Sequence, residues 1–127
     1  MSETHNRILI IDDDQETLEA LQKYFEKKGY EVVAANNGLD GLKHLETRSG
    51  MFDLLITDIV MPNISGVGVV SIAKKKFPDL PVIAITGWGE HPEALASEAH
   101  ADAVLRKPFQ LSVLEKKIKA LVMLKSP

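Results

Sequence analysis

Apolar residues arrive along this chain in short, evenly spaced bursts with longer mixed stretches between them. The bursts are RILII at 7–11, EVVAA at 31–35, DLLIT at 53–57, LPVIAIT at 80–86 and AVLR at 103–106. None alternates strictly between polar and apolar, the pattern of strands covered on both faces. The stretches between them carry apolar residues at helical spacing. Residues 15–28 line up Leu18, Leu21, Tyr24 and Phe25, and Gly29 after Lys27 and Lys28 makes a helix stop. Residues 38–47 carry Leu39, Leu42 and Leu45, and residues 66–77 carry Val67, Val70, Ile72 and Ala73 before Phe77-Pro78 ends the run. An alanine-rich stretch at 92–100 is weakly amphipathic, whereas 110–124 has a clear stripe of Leu111, Leu114, Ile118, Leu121 and Val122.

Five strands alternating with five helices predict an α/β fold of the (βα)5 kind, a doubly wound five-stranded parallel sheet. The 127 residues show no repeat and no linker, so 1–127 reads as one domain, with no output domain following it. Ligands of such folds sit beyond the carboxyl ends of the strands, where strand order reverses. The residues just past the bursts are Asp12-Asp13-Asp14, Asn36-Asn37, Asp58, Thr86 and Lys107-Pro108.

Composition removes several kinds of chemistry. There is no cysteine, hence no disulfide, thiolate nucleophile or Cys-ligated metal. A formal net charge of -3 supplies no bulk basic field for nucleic acid or anionic lipid. No apolar run approaches the roughly 20 residues that span a bilayer, and the polar start MSETHNR is no secretory signal. The expectation is a cytoplasmic protein that binds neither membrane nor nucleic acid directly.

Three carboxylates brought to one sheet edge do not all ionise comfortably without a cation. Oxygen ligands of this hardness suit Mg2+, which keeps several waters and borrows substrate oxygens. Lys107 adds a point charge able to meet a phosphoryl oxygen, and Thr86 adds a hydroxyl donor. Together these groups suit an acyl phosphate formed on a carboxylate. Each has a plainer role when taken alone. Asp13 with Glu16 matches a helix capping box, Asp14 could be the cap instead, and Asp58 could be a loop carboxylate paired with Lys107. Four strand ends offering matching chemistry favour the joint reading.

DDD at 12–14, DIVMPNISG at 58–66, TGW at 86–88 and KPF at 107–109 resemble the receiver domain of two-component response regulators, in order and over nearly the whole chain. The resemblance implies the flavodoxin-like receiver fold and makes Asp58 the phosphoacceptor in a phosphorelay. It implies that Asp12 and Asp13 bind Mg2+, with the Val60 backbone carbonyl as a further ligand. Thr86 matches the switch hydroxyl, Lys107 matches the lysine that contacts the phosphoryl group, and the Lys107-Pro108 bond is expected to be cis. Such a domain takes its phosphoryl group from a histidine kinase or phosphotransfer protein and then engages a downstream protein target. It assists its own chemistry and is not counted as an enzyme. A dimer through the later helices belongs to the same expectation.

The chain departs from the family pattern in three places. Val104 stands where receivers carry an aromatic residue, and valine is too short and stiff to swing between two positions. The segment from Thr86 to Lys107 is one residue short, around Gly87, Trp88 and Gly89, so the switch is expected to run through the Trp88 loop. His100 replaces a glycine before the last strand. The lysines at 74–76 and on the last helix read as solvated faces, with a partner surface as the second reading.

Two other functional classes use similar groups. A haloacid dehalogenase-type phosphatase also uses an Asp nucleophile, a Thr and a Lys, but it needs a late acidic pair, and Glu115 is the only acid after Lys107. A flavodoxin-type cofactor binder needs a phosphate loop, where three aspartates would repel the ligand. A degenerate receiver that only binds partners remains the third reading.

Overall fold

The computed structural model describes residues 6–47, 51–59, 66–87 and 100–125. Its elements are β1 (Arg7–Ile11), α1 (Gln15–Lys27), β2 (Glu31–Ala35), α2 (Gly38–Thr47), β3 (Leu54–Asp58), α3 (Gly66–Lys76), β4 (Val82–Thr86), β5 (Ala103–Arg106) and α4 (Leu111–Lys125). The strands form one parallel sheet in the order β2-β1-β3-β4-β5. The helix expected at 92–100 lies largely outside the described residues.

Alternate residues of each strand feed two separate cores, as the two-residue period of a strand dictates. Leu9, Ile11, Leu55, Val82 and Ala84 pack with Leu45 of α2 and Val69, Val70 and Ala73 of α3. Ile8, Ile10, Leu54, Ile56, Ile83 and Ile85 pack with Leu18, Leu21 and Phe25 of α1 and Leu114 and Ile118 of α4. Phe25 is wholly buried, so Phe25→Ala would cost about 3–5 kcal/mol.

Local signals set the helix limits. The Tyr30 amide reaches back to the Phe25 carbonyl at 3.0 Å and the Gly29 amide to the Glu26 carbonyl at 3.1 Å. Gly29 supplies the left-handed φ of 96° that this paired C-terminal turn needs. At α2 the Asn37 carboxamide oxygen accepts the Asp40 amide at 2.8 Å, an N-cap that satisfies one unpaired donor of the first turn.

Several sequence expectations are corrected. The N-cap of α1 is Asp14, not Asp13, so no Asp13–Glu16 capping box forms. Leu39 and Ile72, expected on buried stripes, are 53% and 39% exposed; Gly38, Gly41 and Val69 take the inward positions instead. Gly41 sits so close to β1 that a Cβ there would meet Ile11 Cδ1 at 2.1 Å. Lys74 is no solvated lysine, because its ammonium binds Asp102 at 3.0 Å and the Leu80 carbonyl at 2.9 Å. β3 runs one residue later than expected, leaving Asp53 outside it and Asp58 as its last residue.

Asp53 and Asp102 hold the amino edge of the sheet. The Asp53 carboxylate accepts the Arg7 amide at 2.8 Å while the Asp53 amide donates to the Arg7 carbonyl at 2.8 Å. Asp102 makes the same reciprocal pair with Val82, at 2.8 Å each way. His100, just before it, holds a left-handed φ of 68° where a glycine would be unstrained.

Candidate metal centre

Register carries the acids together. Ile11 is level with Thr57 across the β1–β3 pair, so Asp12 and Asp58 leave adjacent strands side by side. Thr86 is level with Arg106 across the β4–β5 pair, so Lys107 leaves β5 next to Thr86. The ladders persist one step past the strands: the Asp12 amide donates to Ala35 at 3.1 Å, Ile59 to Ile85 at 2.9 Å and Lys107 to Thr86 at 2.8 Å. Four side chains at one edge of a two-sided core are therefore fixed by backbone pairing.

Asp12 and Asp58 are buried and Asp13 is exposed, with one carboxylate oxygen from each lying within 4.8 Å of the others. The Lys107 ammonium bridges the two buried acids, 3.2 Å from Asp58 Oδ2 and 3.4 Å from Asp12 Oδ2. Burial pushes the Asp12 carboxyl above its ordinary range, with the Asp58 charge adding to the rise and the Asp14 amide and Lys107 opposing it. Burial pulls the Lys107 ammonium down, but Asp58 and Asp12 outweigh it and raise it overall. Asp14 takes no part in the cluster. Its carboxylate accepts the Thr17 hydroxyl, which lowers its pKa, and its amide donates to Asp12 Oδ1 at 2.9 Å.

The donor set fits a hard divalent cation. Three carboxylates face one ammonium among the described residues, all the donors are oxygen, and two of the acids are already withdrawn from water. Thr86 adds a second indication. It is fully buried, and its hydroxyl has no hydrogen-bond partner among the described residues. Such a group costs about 1–3 kcal/mol, which makes it a place where an incoming oxygen is welcome. Beside these residues a cavity of about 550 Å3 opens between α1 and the β5–α4 connection, lined by Thr17, Leu21, Gly87, Lys107 and Phe109.

Of the residues singled out in the sequence, Asp12, Asp13, Asp58 and Lys107 are brought together, with Thr86 at the neighbouring strand end. The Lys107–Pro108 peptide is cis. Val104 lies level with Ala84 and packs, partly buried, against the core that α2 and α3 cover. Val60 and Trp88 lie outside the described residues. Gly66, which closes the DIVMPNISG motif, was given no role by sequence reasoning; its only signal there was glycine where a helix begins.

Comparison with known proteins gives the class. The family model of the response regulator receiver domain matches residues 8–119. The response regulator receiver protein CpdR of Brucella abortus is 38% identical over 117 residues, covering 91% of this chain and 96% of CpdR. A response regulator receiver domain protein from Clostridium thermocellum superposes with a TM-score of 0.89 at 32% identity, covering 94% of this chain and 96% of that one. The response regulator TrrA from Thermotoga maritima, solved in complex with Mg2+-BeF, gives a TM-score of 0.82 at 37% identity, with 91% and 98% covered. The chain belongs to the response regulator receiver family of two-component systems, which sets aside the phosphatase and flavodoxin readings.

Proposed function

We propose that this receiver accepts a phosphoryl group onto Asp58 and uses it to change partner binding. The observation that carries the reading is the Lys107 ammonium bridging two buried carboxylates while the buried Thr86 hydroxyl, at the neighbouring strand end, has no partner among the described residues. An Asp58 carboxylate oxygen attacks phosphorus, the bond from phosphorus to the donor's imidazole nitrogen breaks, and an aspartyl phosphate remains. The donor is a histidine kinase or a phosphotransfer protein in the cytoplasm, and the open cavity beside Lys107 leaves room for its approach.

Asp12, Asp13 and Asp58 would hold Mg2+, as the complex of TrrA with Mg2+-BeF suggests for a 37% identical relative. The ion would supply charge neutralisation for the transferring oxygens. Lys107 moves from the carboxylate pair to a phosphoryl oxygen, a short step for a flexible ammonium. Thr86 donates its hydroxyl to another oxygen and thereby gains the partner it lacks. The fold gains that hydrogen bond only in the phosphorylated state, so the state preference follows directly. With Val104 too short to swing, the signal passes through the Trp88 loop to the downstream target.

Acetyl phosphate with Mg2+ should add one base-labile phosphoryl group, resolved by phosphate-affinity electrophoresis. Asp58→Ala should abolish the shifted band. A variant that is modified at the parent's rate and extent would sink the assignment.

A further inference from the structure

Gly66 begins α3, yet its position is dictated by the strand that carries Asp58. Its amide donates to the Ile59 carbonyl at 2.8 Å, so the chain that leaves β3 returns to the same spot. A Cβ at position 66 would stand 1.9 Å from the Asp58 carbonyl oxygen, 2.5 Å from Ile59 Cα and 2.7 Å from the Asp58 carbonyl carbon. All three are backbone atoms at the end of a strand buried along its whole length, so no side-chain rotation can make room. The Asp58 carbonyl is also held from its other neighbour, by the Thr57 hydroxyl at 3.0 Å. Gly41 makes the contrast, because the nearest atoms a Cβ there would meet all belong to the Ile11 side chain, not to backbone.

We propose that Gly66 is a positioning residue for the Asp58 carboxylate: its missing side chain lets α3 clasp the last peptide of β3 and so fixes the direction in which Asp58 leaves the sheet. The proposal rests on the acceptor reading above. Any Cβ at 66 drives the Asp58 peptide and α3 apart. The Cα–Cβ bond of Asp58 turns with its peptide, carrying the carboxylate away from Lys107 at 3.2 Å and out of its grouping with Asp12 and Asp13. A misplacement of about 1 Å at a reacting group can cost about 100-fold in rate. The rest of β3 stays anchored by its pairing to β1 and β4, so the site is lost before the sheet is.

The test uses the full chain, well below its melting temperature. Gly66→Ala should keep the parent's far-ultraviolet circular dichroism but bind Mg2+ about 10–100-fold more weakly by calorimetry. Its rate of modification by acetyl phosphate at saturating Mg2+ should fall about 100-fold. Val70→Ala, on the buried face of the same helix, should lower the melting temperature while leaving metal affinity and rate unchanged. Parent-like metal affinity and rate in Gly66→Ala overturn the positioning role. Should Gly66→Ala fail to fold in buffer, both variants are compared in trimethylamine N-oxide, which favours the compact state. A further readout is independent of phosphoryl transfer: the carbon resonance of the Asp58 carboxyl should move on Lys107→Met in the parent and stay put in the Gly66→Ala background. If the parent takes no phosphoryl group but this difference holds, the acceptor reading falls and the positioning role stands. An equal response in both backgrounds overturns the positioning role whatever the phosphorylation result.

Discussion

At the amino edge of the sheet, Asp53 and Asp102 each exchange two hydrogen bonds with a neighbouring strand, and Lys74 completes the second pair at 3.0 Å. At the carboxyl edge, Asp12, Asp13 and Asp58 lie against one another, and Asp12 and Asp58 share the Lys107 ammonium. The residue type and the sheet are the same. The difference lies in what meets the carboxylate. A backbone amide is a fixed neutral donor, available as soon as the strands pair, so each amino-edge acid is satisfied by folding itself. At the carboxyl edge the Asp14 amide also reaches Asp12 at 2.9 Å, but the acids there crowd one another and one ammonium cannot neutralise three negative charges. The balance of donors against acceptors therefore separates scaffold from site.

The sharpest way to break this comparison is to treat the two edges alike. Asp13→Asn should weaken Mg2+ binding about 10–100-fold, whereas Asp53→Ala should leave it unchanged. Equal losses in a calorimetric titration would mean that the edges do not differ. In urea unfolding the order reverses: Asp53→Ala should cost about 2 kcal/mol, because a charged acceptor is taken from a half-buried strand amide.

Thr86→Val should raise stability by about 1 kcal/mol, since it removes a buried hydroxyl with no partner among the described residues, at nearly constant volume. The same variant should lose the response of Trp88 fluorescence to beryllofluoride with Mg2+. A destabilised Thr86→Val would show that the hydroxyl is already satisfied.

Asp12 sharpens the contrast through pH. Burial raises its folded pKa above the ordinary 3.8, so the folded chain holds the proton longer than the unfolded chain does. Stability of the metal-free chain must then fall as pH rises from that ordinary value through the folded one. Asp12→Asn removes this loss and should be more stable at neutral pH, on the order of 1 kcal/mol, with the advantage vanishing in acid below the ordinary value. The smallest effect expected is at the amino edge. His100→Gly should gain about 0.5 kcal/mol in a melting experiment, the relief of a left-handed φ less the entropy that glycine adds to the unfolded chain.

The five strands were readable in the sequence to within one or two residues, because a strand buried on both faces must be a short apolar run. The site was readable because a parallel sheet sends the carboxyl ends of its strands to one edge, which turns Asp12, Asp58, Thr86 and Lys107 into neighbours. What stayed hidden depends on partners distant in the chain. Asp53 reads as the first residue of a strand, and only the Arg7 amide reveals it as the cap of an edge. Lys74 sits in a lysine run, and its burial requires Asp102. Leu39 and Ile72 fall on an apolar period, but a period does not say which way a helix is turned about its axis. Gly66 looks like any glycine before a helix until the Asp58 carbonyl is placed against it.

The sequence separation inside the cluster bears on how the chain folds as it is made. Lys107 meets Asp58 across 49 positions and Asp12 across 95. The ribosome thus releases the two buried acids long before the ammonium that joins them, and β5 is the last strand to arrive. A nascent chain with only β1, β2 and β3 outside the exit tunnel would have to close its sheet over carboxylates lacking that counter-charge. Domains tend to fold as units as they emerge, and here uncompensated charge opposes closure before the final strand is available. A truncated or stalled chain would therefore be silent as well as unstable, since the same late lysine that quiets the buried acids is the one proposed to answer the phosphoryl group.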